Sequence, residues 1–254
     1  MAAQMKLALV TGGMKRLGAR IAARLAMEGW ALALHSRTAQ VPEPDLAATL
    51  SAQGTNWKAF EADLSDVNAG AALMDQVQTA FGCSPTALIN NASRFTDDDW
   101  QSVDGDGLAD RMITNAITPI MLGLSMARAL DGEQGCIINI LDQRIRQPIG
   151  DQLSYTLSKQ ALAAATETLA RTLAPNIRVN GVAPGLTIPT EDYRPAQMVA
   201  LEAAMPLKRL PEPDDIADAV LWLLNAQASS GQIIYVDGGA SLKSFERDFV
   251  HLGG

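Results

Sequence analysis

Residues 136–161 read CIINILDQRIRQPIGDQLSYTLSKQA, an apolar β-branched run, a polar turn and then a helical pattern. Cys136 to Leu141 is bounded by Gly135 and a polar segment, which marks a buried strand. Gln152 to Leu173 places apolar residues at helical spacing, and Pro175 stands just beyond to stop it. Asp142 is therefore expected at a strand's carboxyl end. Tyr155 and Lys159, one turn apart, share a face near the start of a long helix. A carboxylate, a phenol and an ammonium thus converge where one small substrate could meet all three. A tyrosine hydroxyl, with an ordinary pKa of about 10, is a poor proton donor or acceptor at neutral pH, and the spacing predicts that Lys159 lowers it by favouring phenolate.

Working outward, the segment before this stretch repeats strand, turn and helix. Lys6 to Thr11 is a buried-strand pattern, followed by Gly12, Gly13 and a small-residue helix from Leu17 to Met27. A glycine turn between strand and helix lets backbone approach a pyrophosphate, and the helix N-terminus attracts its charge. The turn Thr11-Gly12-Gly13-Met14-Lys15-Arg16-Leu17-Gly18 is not G-x-G-x-x-G, but Lys15 and Arg16 add cations to it. A second strand, Ala31 to His35, ends in His35-Ser36-Arg37-Thr38. No acid is there to accept from a ribose 2′-hydroxyl, and a guanidinium with two hydroxyls favours the phosphorylated cofactor, NADP(H).

A helix from Asp45 to Gln53 and a strand from Asn56 to Ala62 follow, ending at Asp63-Leu64, where an adenine ring could be bracketed. Val67 to Phe81 is a third helix, and Ala87 to Asn90 a fourth strand with Asn91-Ala92-Ser93-Arg94-Phe95 beyond it. Leu108 to Leu130 is a helical region interrupted at Pro119, which frees a carbonyl near Asn115. Beyond the central stretch, Ile177 to Val182 is a sixth strand ending in Pro184-Gly185. Residues 186–210, with a short helix at Pro195 to Ala204, suit a substrate lid. A helix from Asp214 to Leu224, with Asp214 near its N-cap, and a strand from Gln232 to Val236 close the pattern. Seven strands alternating with six helices predict one α/β domain over residues 1–254, a doubly wound parallel seven-stranded sheet.

Composition narrows the function classes. A net charge of −8 argues against general attraction to nucleic acid or anionic membrane. No run approaches 18 uninterrupted apolar residues, and Met1 onward runs directly into a strand, so neither a membrane span nor a cleavable signal is expected. Cys83 and Cys136 lack metal-ligand spacing and read as reduced residues of a cytoplasmic protein, and with only His35 and His251 no metal site is expected.

These residues resemble the short-chain dehydrogenase/reductase superfamily, from about Met5 to Leu242. The resemblance rests on the glycine turn, Asn90-Asn91-Ala92, Asn115, Tyr155 and Lys159, Pro184-Gly185 and Val236-Asp237-Gly238-Gly239. Three departures are informative. Arg16 replaces a turn glycine, Asn-Asn-Ala-Gly has become Asn-Asn-Ala-Ser with Phe95 two residues on, and Asp142 replaces the catalytic serine thirteen residues before Tyr155. Together with His35-Ser36-Arg37-Thr38, they resemble the pteridine reductases and the bacterial dihydromonapterin or dihydrofolate reductases.

That resemblance implies a Rossmann-like fold and NADPH held by Thr11, Gly12, Lys15 to Gly18, His35 to Thr38, Asp63, Leu64, Asn91 to Ser93, Tyr155, Lys159, Pro184 and Gly185. It implies a pterin contacted by Arg16, Ser93, Phe95, Asp142, Tyr155 and Leu186, with Phe95 stacking it. Proton delivery would come from Asp142, Tyr155 and Lys159, with Asn115 anchoring a water and Lys159 also holding ribose hydroxyls. The chemistry is coherent, because reducing C=N needs hydride on carbon and a proton on nitrogen, and a carboxyl such as Asp142 serves if the closed site raises its pKa. The expected activity is NADPH-dependent reduction of a dihydropterin or dihydrofolate by a homodimer or homotetramer. The alternatives are a carbonyl reductase for a 3-oxoacyl or sugar substrate and a dinucleotide sensor without turnover.

Overall fold

In the computed structural model, which describes residues 5–38, 41–191 and 193–252, seven strands form one parallel sheet in the order β3-β2-β1-β4-β5-β6-β7. The strands are β1 (Leu7–Val10), β2 (Ala31–Ser36), β3 (Trp57–Glu61), β4 (Ala87–Asn90), β5 (Gly135–Ile140), β6 (Ile177–Pro184) and β7 (Ile233–Val236). The helices are α1 (Arg16–Met27), α2 (Pro44–Ala52), α3 (Ala69–Phe81), α4 (Gly105–Met112), α5 (Thr118–Leu130), α6 (Leu153–Thr172), α7 (Pro195–Ala204) and α8 (Pro213–Asn225). The predicted α/β architecture holds, with the lid helix at its predicted bounds.

Alternation along β1 explains the two cores. Ala8 and Val10 face α1, α2 and α8, packing with Ile21, Leu25, Leu46 and Val220, while Leu7 and Leu9 face α3 and α5, packing with Leu73, Val77 and Leu122. Both faces of the sheet are covered, so its central strands are apolar throughout. Strand order reverses between β1 and β4, and the crevice outside the carboxyl ends of these strands is where a doubly wound sheet receives ligands.

One local expectation changes. The break in the fourth helix falls not at Pro119 but one turn earlier, in a π-helical turn at Ile113–Ile117, where the Thr118 amide reaches back to the Ile113 carbonyl. Pro119 has no N–H for the Asn115 carbonyl, so widening the turn ahead of it resolves the mismatch. The α8 N-cap is Glu212, in a capping box with Asp215; Asp214 stands in the first turn, near the cap as expected, and its carboxylate pairs with Arg20 at 2.6 Å. Finally, Gly105–Leu130 is long and apolar enough to cross a membrane by length and composition, but 56% of its most apolar window is buried in the fold. Leu122 and Met126 there pack against Leu73 and Ile137, as a core helix does.

Candidate active site

The carboxyl ends of the strands enclose a cleft of about 1080 Å³. At its floor, Gly12 adopts a left-handed φ of +62°, where a side chain is strained. Gly18, in the first turn of α1, lies so close to the turn that a Cβ there would sit 2.0 Å from the Gly12 carbonyl and 2.6 Å from Asn91 Nδ2. Thr11 is buried and works as a fastener: its Oγ1 donates to the Ile89 carbonyl and accepts from the amides of Asn91 at 2.9 Å and Ala92 at 3.0 Å. Asn91 Nδ2 donates back to the carbonyls of Thr11 and Gly12. Lys15 and Arg16 are exposed on the rim. Arg16 holds φ +53°, its amide donates to Glu43 Oε1 at 2.9 Å, and its guanidinium reaches across to the Ile188 carbonyl at 3.3 Å. Leu17 also lines the cleft, and the N-cap residue Lys15 makes no side-chain bond to the α1 N-terminus.

The end of β2 divides the residues expected at the cofactor. Ser36 lines the cleft, Arg37 lines it as an exposed residue, and Thr38 follows on the surface. His35 is buried and bridges three segments, accepting at Nδ1 from the Gly12 amide at 3.2 Å and lying 3.0 Å from the Ala62 carbonyl at Nε2. That pattern fixes a neutral ring with its proton on Nε2, and burial pushes its pKa below the usual imidazole value, opposed by the Ala62 bond. His35 therefore supports the turn from behind. Asp63 is turned onto Ser65, whose amide and hydroxyl hold the carboxyl below its ordinary range. Leu64 is mostly buried, and its carbonyl accepts from Thr118.

The central triad converges as the sequence predicts, but with different electrostatics. Tyr155 Oη donates to Asp142 Oδ2 at 3.1 Å. Asp142 caps a short 3₁₀ turn, Gln143–Ile145, and its Oδ1 accepts from the Arg144 amide at 2.9 Å and from Nε at 3.1 Å. Asp142 is therefore an acceptor on both oxygens. Burial first, then the Asp142 charge, push the Tyr155 phenol well above its usual pKa, and Arg144 offsets this only in part. The lowering expected from Lys159 does not outweigh them. Its ammonium donates instead to the Ile140 carbonyl at 2.8 Å, 5.7 Å from the Tyr155 ring centre. Burial pushes Lys159 down to about 8, against the pull of Asp142. Phe95, 56% exposed, meets the Tyr155 ring edge-on at 5.2 Å, leaving apolar ring surface open to the cleft.

Asn115 lies in the π-helical turn and is fully buried. Its Nδ2 donates to the Arg94 carbonyl at 2.8 Å and Ser158 Oγ at 3.0 Å, and its Oδ1 accepts from the Arg94 amide at 2.7 Å and Ser93 Oγ at 3.2 Å. The side chain expected to anchor a water thus locks the loop that carries Ser93 and Phe95. Its neighbour Thr114 also lines the cleft, and its buried Oγ1 has no hydrogen-bond partner among the described residues.

Pro184 and Gly185 line the wall beyond β6, and Leu186 packs with Tyr193, Leu201, Met205 and Phe249. Leu186 and the α7 helix therefore rest on the C-terminal segment. Asp192, within the predicted lid, lies outside the described residues. Sequence reading missed Arg144, Gln152 and Asp248, which also line the cleft. The buried Arg144 guanidinium donates to Gln152 Oε1 and to Asp248 Oδ2 at 2.8 Å, and lies over the Tyr155 ring. Burial disfavours its charge, but Asp142 and Asp248 more than offset that and raise its pKa. The one signal in the sequence was an arginine two residues past the acid.

The chain matches the family model described as enoyl-(acyl carrier protein) reductase over residues 13–241. Pteridine reductase 1 of Leishmania tarentolae is 33% identical, covering 92% of this chain and 96% of its own. The 3-oxoacyl-(acyl-carrier-protein) reductase FabG of Pseudomonas aeruginosa is 31% identical, covering 94% and 98%. Among solved structures, FolM alternative dihydrofolate reductase 1 from Brucella suis in complex with NADP has a TM-score of 0.87 at 35% identity, covering 96% of this chain and 97% of that one.

Proposed function

The chain belongs to the short-chain dehydrogenase/reductase family, and from that premise we propose that it is an NADPH-dependent reductase of a pteridine of the dihydropterin or dihydrofolate type. The observation that carries this is the contact of Tyr155 Oη with Asp142 Oδ2 at 3.1 Å, a carboxylate beside the phenol, with the exposed Phe95 ring against the same phenol. A flat heterocycle carrying adjacent N–H groups is matched by an acceptor and an apolar ring face, and aromatic pairing adds about 0.5–1.5 kcal/mol beyond area burial.

The residues present fit NADPH. The N-cap residue Lys15 makes no side-chain bond to the first turn of α1, the Thr114 hydroxyl has no partner among the described residues, and Arg37 stands where an acid would repel a 2′-phosphate. We assign the pyrophosphate to the turn at Gly12 and Lys15 to Gly18, and the 2′-phosphate to Ser36, Arg37 and Thr38. His35 and Thr11 act by holding that turn in shape. The adenine falls to Asp63 and Leu64, and the nicotinamide side to Asn91 to Ser93, Tyr155, Lys159, Pro184 and Gly185.

When bound, NADPH supplies the hydride. The protein's part is the proton and the placement. Because its pKa lies well above the usual value, Tyr155 keeps its proton at neutral pH, and the hydroxyl turns from Asp142 to the substrate nitrogen. Asp142 Oδ2, released by that turn, accepts from the amino and ring N–H groups of the pterin, while Arg144 keeps Oδ1 in place. Lys159 lies close enough to compensate negative charge left on the phenol. Arg16 and Leu186 close the rim, Arg16 through its bond to the Ile188 carbonyl.

A carbonyl reductase is the second reading, favoured by relatives such as FabG of Pseudomonas aeruginosa. NADPH oxidation measured with dihydrobiopterin, dihydromonapterin, dihydrofolate and a 3-oxoacyl thioester separates the two. Turnover of at least one pteridine is expected; turnover of the thioester alone sinks the proposal. We also read the chain as a cytoplasmic homo-oligomer. Exposed Ile117, Leu157 and Trp222 on the outer helices support assembly, and light scattering coupled to gel filtration tests it.

A further inference from the structure

Arg144 joins two carboxylates that are far apart in sequence. One is Asp142, in the reacting pair; the other is Asp248, in the segment after β7, and the pair Arg144–Asp248 spans 104 residues. All three side chains are largely shielded, with exposures of 10% for Arg144, 18% for Asp142 and 6% for Asp248. The C-terminal segment is itself anchored twice more. Gln197 of α7 donates to the carbonyls of Phe249, Val250 and Leu252, and Asp151, just before α6, accepts from the Asp248 amide at 2.9 Å and pairs with Arg247. A void of only about 10 Å³ is left among Arg144, Arg247, Asp248 and Phe249, while Arg144 and Asp248 also face the cleft.

From these contacts we propose that Arg144 and Asp248 form a clamp through which the C-terminal segment positions Asp142 for catalysis. This rests on the reading of Asp142 as the pterin acceptor. The physical reason lies in the fork of the guanidinium. Nε and the Arg144 main-chain amide fix one oxygen of Asp142, Nη2 is held by Asp248 and Nη1 by Gln152, so a pivot of the arginine or an outward swing of its acid must break these bonds. With Asp248 absent, the guanidinium keeps Asp142 but loses the contact that fixes its far end. The same segment bears on Gln197 of α7, so that helix and the aim of the acid are tied to one short stretch of chain.

The test compares Arg144→Met, Arg144→Lys and Asp248→Asn with the parent full-length protein. NADPH affinity is read by fluorescence, dihydropterin turnover by steady-state kinetics and residues 245–252 by amide hydrogen exchange. Asp248→Asn keeps the shape but leaves one uncharged acceptor oxygen where the Val250 amide and Arg144 each had one, so it breaks the ion pair and stays informative if Arg144→Met folds poorly. The clamp predicts that Asp248→Asn and Arg144→Met lower kcat by about 10- to 100-fold, as loss of reactive geometry does, with NADPH affinity unchanged within twofold. Arg144→Lys should recover part of the loss, and combining Arg144→Met with Asp248→Asn should add nothing to Arg144→Met alone. Exchange in 245–252 should speed up in Arg144→Met. Unchanged kcat in Asp248→Asn, additive losses in the double variant, or unchanged exchange each overturn the clamp. A parent protein that turns over no pteridine refutes the functional reading instead, and the exchange result then still decides whether the clamp exists.

Discussion

Tyr155 and Asp142 are thirteen residues apart in the chain and 3.1 Å apart in space, the phenol donating to a carboxylate whose other oxygen Arg144 already holds. The phenol is thereby held in its neutral form rather than as a phenolate. Burial and the neighbouring negative charge both favour its neutral form, outweighing the arginine over its ring.

Asp142→Asn removes the charge while keeping the shape. We expect dihydropterin turnover to fall by about 10²- to 10⁴-fold, the range for loss of a group that acts in proton transfer. NADPH affinity should be retained, since the amide still fits beside Arg144. A rate within threefold of the parent, measured by NADPH absorbance, would remove Asp142 from the chemistry.

Lys159 gives a pH-dependent signature. Its folded pKa, about 8, lies below the ordinary 10.5, so the buried ammonium opposes folding below pH 8, where both states carry the proton. As pH rises from 8 to 10.5 the folded protein deprotonates first, and that penalty is relieved. Urea titrations of the cofactor-free parent and Lys159→Met should therefore show the parent gaining about 3 kcal/mol on the variant across this window. A difference that is flat with pH, or that shrinks, contradicts the placement of Lys159. The variant should also lose catalysis.

Arg16 sits in the left-handed region at φ +53°, which costs a non-glycine residue about 1 kcal/mol. Arg16→Gly should raise the unfolding free energy by about that amount. It should simultaneously raise KM for the pteridine, because the bridge to the Ile188 carbonyl goes with the side chain. A gain in stability together with a rise in KM distinguishes a rim residue from a residue kept for the fold.

Gly18→Ala tests the turn. Its methyl group would lie 2.0 Å from the Gly12 carbonyl, against backbone that cannot yield without moving α1. Overpacking of this kind costs about 1–3 kcal/mol, and here the displacement should also weaken NADPH binding severalfold, measurable by fluorescence titration. Unchanged affinity in a folded variant would show that the turn does not hold the cofactor.

The sequence by itself determined the doubly wound sheet, because hydrophobic period, glycine turns and prolines act over a few residues and each strand and helix records its own environment. It also placed Asp142, Tyr155 and Lys159 together, since strand ends and a one-turn helical spacing are local geometry. It did not reveal that Lys159 would bond the Ile140 carbonyl, that His35 would brace the glycine turn, or that Asn115 would lock the loop of Phe95. Those outcomes depend on which polar groups meet once the layers close. Arg144 is the clearest case: two residues from Asp142 it reads as an ordinary loop cation, and only the return of the chain at Asp248 buries it between two carboxylates. Local propensity is written in neighbouring residues, whereas the partner of a buried charge is fixed by long-range packing.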